Sequence, residues 1–156
     1  MPHPDHDRRS PDWRASVAAY ERAWSRFSAD PSEHHFGLLR TGEEILIREL
    51  SKPGKFELGV CLTTPGARDA MSEVGHAPPE FLLRHKHGDW GELDADDKRA
   101  NDDALRSGGR LLSAYSTRLH AKLWIITEWD RSATTLLLHT SPCDAPHMFA
   151  VVAATS

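Results

Sequence analysis

Residues 110–138, RLLSAYSTRLHAKLWIITEWDRSATTLLL, decide the fold. The runs RLLSAYST, KLWIITEW and ATTLLL are short and rich in aromatic or apolar side chains, and gaps of hairpin length part them. Runs of that kind, separated by turn residues, read as consecutive antiparallel strands. They form a three-stranded meander. Its second turn carries a polar cluster, Thr127-Glu128-Trp129-Asp130-Arg131-Ser132.

Upstream of the meander the pattern is helical. Asp94 suits a helix cap, Asp96 and Asp97 fall in the first turn, Arg106 sits near the last, and Gly108-Gly109 ends the helix. Thr64 and Pro65 open another helix that runs to Gly75, and Ala77-Pro78-Pro79-Glu80 starts a short one carrying Phe81, Leu82 and Leu83. Phe56, Leu58, Val60 and Leu62 alternate with Glu57, Gly59 and Cys61, which predicts a strand. Residues 36–50, FGLLRTGEEILIREL, are ambiguous: Ile45 and Ile47 suggest a strand. A strand there would pair with the next one in a hairpin around Ser51-Lys52-Pro53-Gly54.

At the N-terminus, Ser10 is the expected cap of a helix, with Pro11 and Asp12 in its first turn and Asp30-Pro31 as its stop. Trp13, Val17, Tyr20, Trp24 and Phe27 recur every three or four residues and share one stripe. Two readings stand: the helix docks on its own domain, or Trp13, Tyr20, Trp24 and Phe27 form a homodimer or partner face. The expected architecture is α+β, with N-terminal and central helices packed on an antiparallel β-meander of four or five strands. Residues 1–32 are the tail and amphipathic helix, 36–140 the core domain, and 141–156 a C-terminal tail. The apolar run at 148–152 is either a further edge strand or a loose end.

Length and composition set limits. A chain of 156 residues with 39% hydrophobic and 27% charged residues fits one globular domain. No apolar run approaches the roughly 20 residues of a spanning helix. The opening MPHPDHDRRS has no apolar secretory core, so the cytoplasm is the expected location. Cys61 and Cys143 are far apart without metal-type spacing and read as reduced thiols. A net charge of −4 argues against a broad non-specific nucleic-acid surface but leaves a small basic site open.

Several groupings carry candidate chemistry. His85-Lys86-His87-Gly88-Asp89 spells half of a zinc-hydrolase motif, yet Trp90 stands where that motif wants another histidine. No metal or cofactor is assigned. Gly88-Asp89-Trp90-Gly91 reads as a tight turn, with Asp89 bonding backbone N–H groups and Trp90 as a plug. In the functional alternative, Asp89 orients His85 or Arg131. Glu92, Asp94, Asp96, Asp97, Asp102 and Asp103 make a negative surface, read either as a solvated helix face or as a mimic of nucleic-acid phosphate. Arg110, Ser113, Thr127, Glu128, Asp130, Arg131, Ser132 and Thr134 form the richest group. Thr127 and Thr134 flank one turn and should face each other, with Arg131 and Ser132 projecting from its tip. This mix resembles metal-independent ribonucleases of the barnase and RelE type. Such an enzyme would use His85 and Glu128 as acid–base pair and Arg131 as phosphate clamp.

A second resemblance rests on longer motifs. They are Thr64-Pro65-Gly66-Ala67; Arg84, His85, Gly88, Asp89, Trp90 and Gly91; and Asn101, Ala104 and Leu105. Arg110, Leu112, Ser113, Ala114 and Tyr115 follow, then Trp124 to Glu128, Asp130, Arg131, Ser132, Thr134 and Thr135. Over about residues 58–138 the chain resembles a widespread family of small bacterial and plasmid-borne proteins, often labelled plasmid-related or type I restriction subunit. The family closes on Leu-Pro-x-x-Tyr where this chain has Leu138-His139-Thr140. The resemblance implies an architecture and a site more than a reaction. The leading expectation is a non-enzymatic accessory protein of mobile-element or host-defence setting that binds a protein or nucleoprotein partner. Asp89, Trp90, Arg110, Ser113, Thr127, Ser132 and Thr134 would line its site. The alternative is a small ribonuclease toxin using His85, Glu128 and Arg131.

Overall fold

The computed structural model describes residues 12–139, which form an α+β chain. In order the elements are α1 (Trp13–Ala29), α2 (Glu33–Leu50), β1 (Val60–Thr63), α3 (Pro65–Ser72), α4 (Pro78–Lys86), α5 (Ala95–Ser107), β2 (Leu111–Ser116), β3 (Lys122–Thr127) and β4 (Ala133–Leu138). They divide into two compact units. One is Met1–Glu57 with Ala77–Asp89; the other is Leu58–His76 with Trp90–Ser156.

The first unit is helical. Asp12 caps α1, its carboxylate accepting the Arg14 N–H at 3.1 Å. The expected cap, Ser10, lies outside the described residues. The aromatic stripe of α1 turns inward: Tyr20 joins Leu46, Ala77 and Leu83 in a buried cluster, with Trp13, Val17, Leu39 and Leu50 packed against it. Trp24 and Phe27 lie further along α1, where Phe27 meets Phe36 of α2 at a centroid distance of 5.9 Å.

Residues 36–50 are helical, which corrects the strand reading and removes the hairpin. Ser32 caps α2 by accepting the His35 N–H at 3.2 Å. Leu39, Gly42, Leu46 and Leu50 recur at helical spacing, and a Cβ on Gly42 would lie 3.3 Å from the Tyr20 ring. The alternation of Ile45 and Ile47 is a local strand signal, and packing against α1 overrides it. At the far end of α2, the buried Lys86 donates to the Leu50 carbonyl at 2.8 Å, where a helix favours a cation.

The second unit is built on one sheet of strand order β1-β4-β3-β2. β2, β3 and β4 pair antiparallel in sequence order, as their pattern predicts. β1 runs parallel to β4, from Val60 beside Ala133 to Thr63 beside Leu136. The sheet is therefore mixed, a correction to the all-antiparallel meander. With residues 36–50 helical, β1 has no hairpin partner, and the long segment between β1 and β4 supplies the crossover a parallel pair needs. The expected strand at 56–62 shortens to β1, and the run at 148–152 lies outside the described residues.

Leu111, Leu123, Ile125 and Leu136 are fully buried on one face of the sheet, beside Tyr115. The outer edge of β2 is covered. Ala114 donates to the Trp90 carbonyl at 3.2 Å and accepts from the Glu92 N–H at 2.7 Å. Asn101 of α5 donates to the Leu112 carbonyl at 2.6 Å and accepts the Leu112 N–H at 3.0 Å. One side chain thus stands in for a missing strand. Asp94 caps α5, and Gly108 ends it in the left-handed conformation, both as the sequence indicates.

Candidate functional site

The polar cluster folds as the turn between β3 and β4. The Glu128 N–H donates to the Ala133 carbonyl at 2.9 Å, and the Arg131 N–H to the Glu128 carbonyl at 3.0 Å. Arg131 takes a φ of 59°, unusual for a residue with a side chain. Asp130 accepts the Ser132 N–H at 3.0 Å. Hydrogen bonds from the Ser132 hydroxyl and N–H hold the Asp130 carboxyl below its ordinary range.

Arg131 does not project from the tip as expected; it folds back. Its Nη1 donates to the Gly109 carbonyl at 2.6 Å and to the Glu128 carbonyl at 3.1 Å. Its Nη2 donates to the Ala104 carbonyl at 3.2 Å, on the last turn of α5. A planar fork of donors suits several carbonyls at once, and a cation suits a helix C-terminus. Arg110 reaches Glu128 across 3.2 Å, in a partly exposed ion pair.

Thr127 and Thr134 do face each other, with hydroxyl oxygens 2.8 Å apart and both residues fully buried. Thr134 also donates to the Leu58 carbonyl at 2.7 Å. A hydroxyl has one proton to give, so Thr127 is the donor to Thr134. This relay ties the approach to β1 onto the β3–β4 hairpin.

Trp90 is buried as the predicted plug, and its Nε1 donates to Asp102 at 3.1 Å. Asp89 pairs with Arg84 at 2.8 Å, an ion pair that the sequence pattern does not signal. Ser113 is fully buried on β2, while Ser132 is exposed. His85 is fully buried in the first unit and packs edge-on against Phe56 at 5.1 Å. Glu128 and Arg131 belong to the second unit. Among the acids, Asp94 caps α5, Asp96 pairs with Arg99, Asp103 pairs with Arg106 at 3.3 Å, and Glu92 accepts from Ser116 at 3.0 Å.

Trp129 lies in the polar cluster that the sequence singles out, yet it is not among the expected site residues. It is 65% exposed at the head of a turn in which Glu128 pairs with Arg110, Asp130 accepts from Ser132 and Arg131 donates to backbone carbonyls. An indole inside a run of polar turn residues is the signal that could have found it. On β1, Val60 is 63% exposed and Leu62 51%. Val60 stands in register with Ala133, just past the turn.

Among the described residues, no group of three or more His, Cys, Asp or Glu is placed to hold a metal ion. Nor is any described helix long and apolar enough to cross a membrane. Fold and site together define an α+β protein whose polar turn is braced internally and presents an indole outward. No protein-family model, curated protein or solved structure matches this chain.

Proposed function

We propose that this chain is a non-enzymatic binding protein that engages a protein or nucleoprotein partner, with Trp129 as its anchor. The observation that carries this reading is the 65% exposure of Trp129 on a turn fixed by the Arg131 fork. An exposed indole on a rigid support loses little entropy on docking, and Trp is among the residues that most often dominate interface energy. Val60 and Leu62 supply further exposed apolar surface in the same unit. The resemblance to plasmid-borne proteins supports a mobile-element or host-defence setting in the cytoplasm.

A photo-crosslinking side chain placed at position 129, with position 69 on the exposed surface of α3 as control, tests this in bacterial cells. The expected result is a discrete adduct from position 129 alone. No adduct there overturns the reading. RNA cleavage by the purified chain that Glu128→Gln abolishes would replace it with the ribonuclease toxin.

A further inference from the structure

We propose that the stack of Trp13 on His87 is an acid-released latch that holds the first turn of α1 to the end of α4. The two rings lie 5.1 Å apart between centroids and 6° from parallel, an offset stack. Trp13 is the first residue of α1, and His87 is the C-cap of α4. The stack therefore joins one helix end to another, at the point where α1 has the least of its own length to anchor it. Both residues belong to the first unit.

The surroundings oppose a charge on the imidazole. Partial burial disfavours the protonated ring and comes first among the causes that lower the affinity of His87 for a proton. Lys86 on α4, Arg14 on α1 and Lys55 on the loop after α2 add repulsion. Among the described residues Glu49 on α2 is the opposing carboxylate, and its oxygen is already 2.6 Å from the Lys52 ammonium. A charged imidazole can attract an indole face, which would favour protonation. Here the Arg14 guanidinium already sits 4.7 Å from the centre of that same indole. A second cation on one ring gains less than an isolated one, so burial and repulsion win.

The sign follows. A histidine that binds its proton less readily in the latched state favours that state fully at neutral pH and above. The advantage is lost as pH falls below the ordinary value of about 6.5 toward the lowered one. Acid thus frees the first turn of α1 while Tyr20, deeper along the helix, stays buried in the core.

Hydrogen exchange of the full chain between pH 7.5 and 5, corrected for the intrinsic pH dependence of exchange, tests the latch. Protection of residues 13–18 is expected to fall with acid, by at most about tenfold per pH unit. Protection around Tyr20 is expected to hold. His87→Phe keeps a stacked ring with no proton to gain and should make the first turn indifferent to pH. Equal pH dependence in that variant, or none in the wild type, overturns the proposal. An NMR titration of His87 in the unmodified chain decides between the outcomes even if His87→Phe fails to fold. A midpoint at or above the ordinary histidine value overturns the latch, and one below it supports the latch.

Discussion

Arg131 Nη1 lies 2.6 Å from the carbonyl oxygen of Gly109, and its Nη2 lies 3.2 Å from that of Ala104. A side chain of the β3–β4 turn thereby closes the C-terminal end of α5. The residue that makes these bonds has a left-handed backbone, and the turn it belongs to presents Trp129 outward.

If the fork braces the fold, removing it must cost stability. Arg131→Ala is expected to destabilise the chain by about 1–3 kcal/mol, because bonds from a charged donor are lost and the part-buried Gly109 carbonyl loses that donor, while the Ala104 and Glu128 carbonyls keep backbone N–H partners. Arg131→Lys keeps the charge but not the planar fork, and should recover less than half of that loss. Urea denaturation measures both. Unchanged stability in Arg131→Ala would mean that the fork is dispensable to the fold and free for a role at the surface.

The threonine relay gives a directional test. Thr134 donates to Leu58, and Thr127 donates to Thr134. Thr134→Val, nearly the same shape, strips the Leu58 carbonyl of its donor and Thr127 of its acceptor. It should cost about 2–3 kcal/mol, since unmet buried groups are expensive. Thr127→Val removes the bond to Thr134 and leaves the Thr134–Leu58 bond in place, so it should cost less, about 1 kcal/mol. The double variant should cost less than the sum of the two, because they share one bond. An additive double variant would refute the relay.

Those side chains also show how much of the structure the sequence carries. Thr127 and Thr134 face each other because both lie on regular strands joined by a short turn, where alternation fixes the side. Asp94, Thr64 and Gly108 behave as their local chemistry indicates, since a helix end depends on few neighbours. The role of Arg131 is illegible: its partners are carbonyls 22 and 27 residues away, and no pattern of side chains marks a carbonyl. Residues 36–50 mislead for a related reason. Ile45 and Ile47 favour a strand locally, and the packing of Leu39, Leu46 and Leu50 into the cluster around Tyr20 decides for a helix. The parallel pairing of β1 with β4 depends on that same choice.

Gly91 is a sharper test of how the β2 edge is closed. Its φ is 71°, and a Cβ there would collide with the Ala114 carbonyl and the Tyr115 ring. Gly91→Ala forces both a strained backbone and a loss of the bridge to Ala114. The expected cost is about 3 kcal/mol or more. Asn101→Leu attacks the same edge by removing both side-chain bonds to Leu112, and should cost about 2 kcal/mol. Amide exchange at Leu112 should rise in the second variant well before global unfolding. If Leu112 stays protected, Asn101 is not what closes that edge.

Asp130 predicts a dependence on acid. Hydrogen bonds from Ser132 favour its ionised form, so its folded pKa lies below that of the unfolded chain. Such a group stabilises the fold above the unfolded value, about 3.9, and the contribution disappears as pH falls through the folded value. The stability gap between wild type and Asp130→Ala should therefore be steady from pH 7 to 5. It should shrink as the pH drops below about 4. Asp130→Asn keeps an oxygen for the Ser132 N–H without a titrating charge, so its gap to Asp130→Ala should not follow pH there. Denaturation curves across this range separate the two. A gap between wild type and Asp130→Ala that persists at low pH would show that Asp130 shapes the turn that presents Trp129 by geometry alone.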